Sequence, residues 1–139
     1  MKPGDHIQPF TATDQSGKAV SSDALLQDGP IVLFFYPKAG TSGCTAESCH
    51  FRDLGSEFAA LGATRVGISA DGVDAQAAFD EKHGLGYPLL SDPDKTIAKA
   101  FGVKRVGPIF NKRATFVIAQ DGTVLDVISS ETKMDVHAD

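Results

Sequence analysis

Apolar and polar residues alternate along the chain in blocks that predict strands separated by helices. The run Ile31-Val32-Leu33-Phe34-Phe35 is continuously apolar, which is typical of a strand buried on both faces of a sheet. Loose alternation around Asp14-Gln15-Ser16-Gly17 predicts a short hairpin over Phe10–Val20. The remaining predicted strands are Thr64–Ser69, a short edge strand at Pro88–Leu90, Ala114–Ala119, and Thr123–Ile128, the last two joined by a turn at Gln120-Asp121-Gly122.

Helical periodicity fills the intervals between these strands. The longest helix is predicted over Cys44–Leu61, ended by Gly62, and a second one over Asp74–His83, ended by Gly84. Three further segments complete the pattern: a small helical turn after Ser21-Ser22-Asp23, a helix that is capped by Asp92-Pro93-Asp94 and runs through Phe101, and a Gly/Pro loop over Gly102–Lys112.

The order of these elements predicts the fold class. Strands that alternate with helices and finish in a hairpin indicate an α/β fold, in which a central sheet of mixed direction carries helices on both faces. The order fits a thioredoxin-like fold with an N-terminal hairpin. No internal repeat, low-complexity tract or linker interrupts residues 1–139, so the chain is predicted to form a single domain.

Charge and composition exclude several kinds of partner. The chain carries a formal net charge of −5 and has a pI near 5.2, which disfavours binding to nucleic acid or to an acidic membrane. The first six residues lack the apolar core of a signal peptide, and no stretch reaches the ~18 apolar residues of a membrane span. We therefore expect a cytoplasmic protein. In that reducing compartment a close cysteine pair is more often catalytic, redox-active or metal-binding than structural.

The two cysteines of the chain, Cys44 and Cys49, lie five residues apart at the start of the longest predicted helix. Cys44 follows the buried strand, Pro37 and a Gly/Ser/Thr loop, so it falls where a strand gives way to a helix N-terminus. Exposed N–H groups and the helix dipole favour negative charge there, and the pKa of a cysteine falls from ~8.5 toward neutrality or below in such places. The sequence thus predicts a nucleophilic thiolate at Cys44.

The spacing of the cysteines predicts how they can combine. On an ideal helix a separation of five residues gives ~7.5 Å of rise and ~140° of rotation, which puts the Cα atoms roughly 8.6 Å apart. This exceeds the ~7 Å limit for a disulfide, so a bridge requires the helix to unwind. The apolar stripe of this helix is Phe51, Leu54, Phe58 and Leu61, which leaves Cys49 on the opposite, polar face. A nucleophilic thiol and an outward second thiol predict a two-step redox relay.

Other kinds of site fit the sequence less well. A zinc site needs three or four suitably spaced ligands, and the four histidines are scattered, so neither a metal nor another cofactor is expected. The segment Gly40–Thr45 lacks the Lys-Ser/Thr pair of a phosphate-binding loop, and the cysteine spacing is not Cys-x-x-Cys. A redox sensor that uses the same disulfide to alter a partner surface remains the alternative to an enzyme.

The motif Pro-x-x-x-Thr-x-x-Cys, present as Pro37, Thr41 and Cys44, resembles the active-site signature of peroxiredoxins, which are thiol peroxidases. The likeness covers nearly the whole chain and points to the bacterioferritin-comigratory, or peroxiredoxin Q, branch. The segments that carry it are Phe35-Tyr36-Pro37, Gly43-Cys44-Thr45, Glu47, Cys49, Phe51-Arg52-Asp53, Pro88-Leu89-Leu90-Ser91-Asp92 and Arg113-Ala114-Thr115-Phe116.

The resemblance implies a role for each site residue. Cys44 is then the peroxidatic cysteine, Cys49 the resolving cysteine and Arg113 the strand-borne arginine of the site. The resemblance also implies that thioredoxin or a similar dithiol is the reductant and that hydrogen peroxide or organic hydroperoxides are the substrates. The supporting groups are the Thr41 hydroxyl toward sulfur and peroxide, the backbone N–H groups at Gly43 and Cys44, Pro37 as a shield against water, and Glu47 as an ion-pair partner that orients Arg113.

The residues alone leave a non-catalytic role open for several of these positions. The alternative for Cys49 is an incidental surface thiol, that for Arg113 is a solvated strand-edge charge, and that for Glu47 is a solvated helix residue that favours the first turn. Four aromatic residues are open to either a pocket or a core role: Phe10, Phe79, Tyr87 and Phe110.

Two positions depart from the branch. Ser42 replaces a proline that the branch commonly carries, which bears on loop mobility and rate. The chain stops at Val136–Asp139, where family members begin a final helix, so either the sequence is truncated or the protein lacks that helix. If the sequence is truncated, an apolar groove is expected to lie bare, with lower stability or self-association as the result. Because the disulfide cycle is intramolecular, no partner subunit is required and a monomer is expected.

Overall fold

A computed structural model of the protein describes residues 1–39, 42–104 and 114–129, with the side chains of residues 42–44 and 129 left undescribed. The strands are β1 (Thr11–Thr13), β2 (Ala19–Ser21), β3 (Ile31–Phe35), β4 (Thr64–Ser69), β5 (Leu89–Ser91), β6 (Ala114–Ile118) and β7 (Val124–Ser129). The helices are α1 (Ser22–Leu26), α2 (Ser42–Asp53), α3 (Gly55–Ala60), α4 (Val73–His83) and α5 (Thr96–Ala100). Among these helices none is long and apolar enough to cross a membrane.

The described strands form one mixed sheet in the order β2-β1-β5-β4-β3-β6-β7. Strands β3, β4 and β5 run parallel, while β6 pairs antiparallel with β3 and β7 antiparallel with β6. The β1–β2 hairpin joins the sheet through the pair Thr13↔Ser91. The predicted mixed sheet with an N-terminal hairpin is confirmed.

Strand β3 lies at the centre of the core, and all five of its residues are buried. Its odd-numbered residues contribute to one hydrophobic cluster, which also contains Leu26 of α1 and Ile97 of α5. Its even-numbered residues contribute to a second cluster, which contains Phe51 of α2 and Phe79 of α4. This alternation follows from the two-residue period of a strand. Helices therefore cover both faces of the sheet, as the continuous apolar run predicts.

The prediction of an edge strand at Pro88–Leu90 is wrong. Strand β5 lies inside the sheet, between β4 and the N-terminal hairpin, and both Leu89 and Leu90 are fully buried. A run of three apolar residues does not show which strands lie on either side of it in the sheet. Its place is set by β1, which comes from a distant part of the chain and covers its outer side.

The helix predicted over Cys44–Leu61 is two helices, because the chain departs from helical geometry at Leu54 (φ −91°, ψ 15°). The guanidinium of Arg65 lies beside this break and donates hydrogen bonds to the carbonyls of Phe51 (2.9 Å) and Arg52 (3.3 Å). It lies 3.3 Å from the place where a Cβ on Gly55 would lie, so a larger residue at this position would require the guanidinium to move by a few tenths of an ångström. The apolar stripe also ends early, because Leu61 is 74% exposed.

Apart from the break at Leu54, the observed ends and caps of the helices agree with those predicted from the sequence. Gly62 and Gly84 have positive φ angles of 69° and 56° and end α3 and α4 as predicted. The carboxylate of Asp92 accepts hydrogen bonds from the N–H groups of Ile97 (3.2 Å) and Ala98 (2.9 Å) at the start of α5. These bonds satisfy donors that have no partner within the helix.

Candidate active site

The predicted site residues fall in two groups. Pro37, Glu47 and Cys49 are described in full, and Gly43 and Cys44 are described by their backbone as part of α2. Thr41 and Arg113 lie outside the described residues, as do Phe110 and residues 130–139. The geometry below therefore concerns the elements that carry the site and the groups that hold these elements.

The backbone confirms that Cys44 lies where a strand gives way to a helix. Strand β3 ends at Phe35, and the N–H of Tyr36 still bonds to the carbonyl of Ile68 (3.1 Å), which fixes the chain up to Pro37. Helix α2 begins at Ser42, so Cys44 is the third residue of its first turn. Unpaired N–H groups and the helix dipole favour a thiolate at such a position.

A chain of buried and partly buried hydrogen bonds ties the loop before α2 to the sheet. The carboxylate of Asp71 accepts a hydrogen bond from the N–H of Ala39 (2.7 Å) and another from the Ser69 hydroxyl (2.6 Å). The amide of Gln76 then donates to the Ser69 hydroxyl (3.1 Å), and the Tyr36 hydroxyl donates to the amide oxygen of Gln76. Burial raises the pKa of Tyr36, so its hydroxyl stays a proton donor.

Glu47 and Cys49 are more enclosed than the sequence suggests. Glu47 is only 1% exposed, which excludes a solvated helix residue. The prediction that Cys49 points outward from a polar face is wrong, because it is half-buried and packs against the second hydrophobic cluster. Helical periodicity gives the wrong result here because the second hydrophobic cluster also packs against the side of α2 that carries Cys49. The hydroxyl of Tyr87, a member of this cluster, donates a hydrogen bond to the carbonyl of Ser48, the residue before Cys49.

A cavity of about 630 Å³ lies between the start of α2 and α4. Most of the lining residues are apolar, and two of them, Lys82 and His83, are basic. The others are Ala39, Thr45, Ala46, Ala75, Ala78 and Phe79. Of the aromatic candidates, Phe79 lines this cavity as well as the core, whereas Tyr87 belongs to the core and Phe10 stacks edge-on against Phe101. Within the described ranges no cluster of three or more potential metal ligands occurs.

Comparison with known proteins gives the family. Residues 3–127 match the AhpC/TSA family, which is most of the chain. The chain belongs to the AhpC/TSA family. A putative peroxiredoxin of Mycobacterium tuberculosis (strain CDC 1551 / Oshkosh) is 56% identical over 142 residues, covering 100% of this chain and 92% of the relative. Peroxiredoxin Bcp of Bacillus subtilis (strain 168) is 38% identical over 128 residues, covering 88% of this chain and 74% of the relative.

Solved structures agree with this assignment. The crystal structure of peroxidoxin BcpB from Mycobacterium tuberculosis matches with a TM-score of 0.97 and 55% identity, over 99% of this chain and 92% of that chain. Peroxiredoxin Q from Xanthomonas campestris matches with a TM-score of 0.86 and 30% identity, over 93% of this chain and 85% of that chain. The predicted peroxiredoxin of the Bcp and Q type is thereby confirmed, and with it the general function of a thiol peroxidase.

Two residues that support the active-site loop of this peroxiredoxin were not predicted from the sequence. Asp71 and Gln76 support the loop before α2 through contacts with Ala39 and Ser69. One signal was available for Asp71: it closely follows β4, and the carboxyl ends of the adjacent parallel strands β3 and β4 meet at one edge of the sheet. Gln76 gives no such signal, since a glutamine in a helix is ordinarily solvated.

Removing the Asp71 carboxylate is expected to slow the reaction of this peroxiredoxin with peroxide. A hydrogen bond to a charged group contributes about 1.5–3 kcal/mol, so Asp71→Ala should loosen the loop and lower the rate of Cys44 oxidation roughly tenfold or more. The rate is measured by rapid-quench mass spectrometry after one equivalent of hydrogen peroxide. Asp74→Ala is the matched control, because Asp74 is an exposed aspartate three residues away in the first turn of α4. Equal rates in the two variants would contradict the role given to Asp71.

Proposed function

We propose that this peroxiredoxin reduces hydrogen peroxide and organic hydroperoxides through a sulfenic acid on Cys44 and a Cys44–Cys49 disulfide, and that thioredoxin or a similar dithiol recycles it. The observation that carries the proposal is the placement of both cysteines in α2, with Cys44 in the first turn and Cys49 five residues further on. The cycle is complete within one chain, which supports action as a monomer. A location in the cytoplasm fits the close cysteine pair, because in a reducing compartment such a pair is more often redox-active than structural.

The first step forms a bond between the Cys44 sulfur and one oxygen of the hydroperoxide. The thiolate attacks, the O–O bond breaks, and the leaving hydroxide or alkoxide takes a proton to give water or alcohol, while Cys44 becomes a sulfenic acid. A free thiol with a pKa of ~8.5 is already ~3% thiolate at pH 7, so deprotonation raises the rate ~30-fold at most. The larger part of the acceleration must come from holding the peroxide in line and stabilising the leaving oxygen.

The described residues that adjoin the proposed stabilising groups lie near the end of β3. Ala114, which follows Arg113 in sequence, pairs with Phe35, two residues before Pro37. This register supports Arg113 as the positive charge for the leaving oxygen, and the burial of Glu47 supports its role as the carboxylate that orients the guanidinium. Thr41 and the N–H groups of Gly43 and Cys44 supply the remaining donors, and Pro37 excludes water.

In the second step the Cys49 thiolate attacks the sulfur of the Cys44 sulfenic acid, the S–O bond breaks as the disulfide forms, and the leaving hydroxide takes up the proton that Cys49 lost, which gives water. A helical separation of roughly 8.6 Å between the Cα atoms is too great for this bond, so part of α2 must unwind first. An external dithiol then reduces the disulfide with two electrons and restores both thiols.

Turnover with a thioredoxin system tests the proposal. Wild type should oxidise NADPH through thioredoxin reductase and thioredoxin for many equivalents of peroxide. Cys49→Ser should consume one equivalent at close to the wild-type rate and then stop, because its sulfenic acid has no partner thiol in the chain. If wild type also stops after one equivalent, the protein is a redox sensor rather than a peroxidase, and the proposed cycle is wrong.

A further inference from the structure

The second half of α2 is fastened to the rest of the protein through its backbone carbonyls. The Ser48 carbonyl accepts a hydrogen bond from the Tyr87 hydroxyl (2.7 Å), and the carbonyls of Phe51 and Arg52 accept from Arg65 (2.9 and 3.3 Å). The side chain of Arg52 in turn donates to the carbonyl of His83 (2.6 Å). Of these contacts, the bond at Ser48 is the one that lies between the two cysteines.

Tyr87 is itself held rigidly in the core. Its side chain is 5% exposed, its ring contacts Phe34 edge-on at 5.8 Å, and the guanidinium of Arg65 lies 5.0 Å from the ring centroid. The amide of Gln15 bonds to the Tyr87 carbonyl (3.0 Å) and accepts from the N–H of Leu89 (2.9 Å), which anchors the backbone as well. The hydroxyl therefore cannot follow Ser48 far if the helix moves.

The position of this bond matters for the resolving step, and the inference rests on the proposed disulfide cycle. The Ser48 carbonyl belongs to the peptide unit that leads directly into Cys49. Disulfide formation requires residues between Cys44 and Cys49 to leave the helix, which rotates this peptide unit. The hydrogen bond from Tyr87 is present in the helical state, in which Cys44 meets peroxide, and it opposes the unwound state, in which the disulfide forms.

We propose that the Tyr87 hydroxyl is a positioning group for the resolving step, which holds α2 in its helical form at Ser48 and thereby limits the rate of disulfide formation. It also sets how long the Cys44 sulfenic acid survives. During that time a second hydroperoxide can oxidise the sulfenic acid to a sulfinic acid, with cleavage of the O–O bond and release of water or alcohol. The Tyr87 hydroxyl thus sets the ratio of resolution to over-oxidation.

Tyr87→Phe tests this inference with the smallest possible change. The phenylalanine keeps the ring and its packing, and within a regular helix the Ser48 carbonyl still accepts from the N–H four residues later, so no group is left unsatisfied. Loss of one buried hydrogen bond should raise the population of the unwound state about fivefold. Disulfide formation should accelerate by the same factor, and the fraction of sulfinic acid formed in excess peroxide should fall. The rate of Cys44 oxidation by one equivalent should stay within about twofold of wild type.

Ser22→Ala is the matched control, because it removes a fully buried hydroxyl that accepts a hydrogen bond from the N–H of Phe10 (2.9 Å) and lies on α1, on the face of the sheet opposite α2. A general loss of stability would affect both variants, whereas the inference predicts faster resolution in Tyr87→Phe alone. Rapid-quench mass spectrometry gives both rates, and hydrogen exchange of α2 amides shows whether the helix opens more often. Unchanged or slower disulfide formation in Tyr87→Phe, or equal acceleration in Ser22→Ala, would overturn the inference. Absence of the disulfide in wild type would instead overturn the proposed function.

Discussion

Cys44→Ser is expected to abolish peroxide reduction. A serine hydroxyl stays protonated at pH 7 even at a helix N-terminus, so it provides neither the anionic nucleophile nor a sulfenic acid. Cys49 cannot take its place, since it is half-buried against the second hydrophobic cluster and lies outside the first turn of α2. In a thioredoxin-coupled assay Cys44→Ser should consume peroxide no faster than a sample without the protein, even during the first turnover.

Cys49→Ser is the matched control for this prediction, because it removes the other thiol by the same substitution. It should lose only the later turnovers. If Cys44→Ser kept a rapid first turnover and Cys49→Ser lost it, the assignment of the two cysteines would be reversed.

Phe51→Ala is expected to produce the largest loss of stability. Phe51 is fully buried, stacks on Phe34 at 4.4 Å between ring centroids, and contacts Phe58 at 5.9 Å. Truncation of such a buried phenylalanine removes about 3–5 kcal/mol from the free energy of unfolding, since a cavity remains where the ring was. Because Phe51 fastens α2 to β3, the same change should also reduce the helicity of the segment that carries both cysteines.

Leu61→Ala is the matched control for the stability measurement. Leu61 belongs to the same predicted apolar stripe but is 74% exposed, so its truncation should change the free energy of unfolding by at most about 0.5 kcal/mol. Urea unfolding followed by circular dichroism compares the two midpoints. Similar shifts for both variants would show that the stripe, rather than the packing against Phe34, determines stability.

The parts of the fold that depend on local pattern could be predicted from the sequence. The continuous apolar run at 31–35 gives β3 with both faces buried, and the change from strand to loop to helix gives the position of Cys44. Gly62 and Gly84 end helices because few other residues adopt a positive φ. Each of these features is determined by residues close together in the chain.

The features that were missed depend on contacts between distant segments. Cys49 is half-buried because it packs against the second hydrophobic cluster, which contains Tyr87 from 38 positions later, and helical periodicity carries no information about such neighbours. The interior place of β5 depends on β1, and the support of the loop before α2 depends on Asp71. The break at Leu54 is accompanied by Arg65, which reaches the helix from β4. Local sequence patterns predict the helices and strands, whereas the contacts between them are known only from the folded structure.

Rapid-quench intact mass spectrometry on wild type and Cys49→Ser, after one equivalent of hydrogen peroxide, tests the central claim most directly. The proposed cycle predicts a loss of two hydrogen atoms in wild type and the gain of one oxygen atom at Cys44 in Cys49→Ser, both formed far faster than a free cysteine reacts. Oxidation at the rate of an ordinary thiol, or a wild-type product without the disulfide, would contradict it.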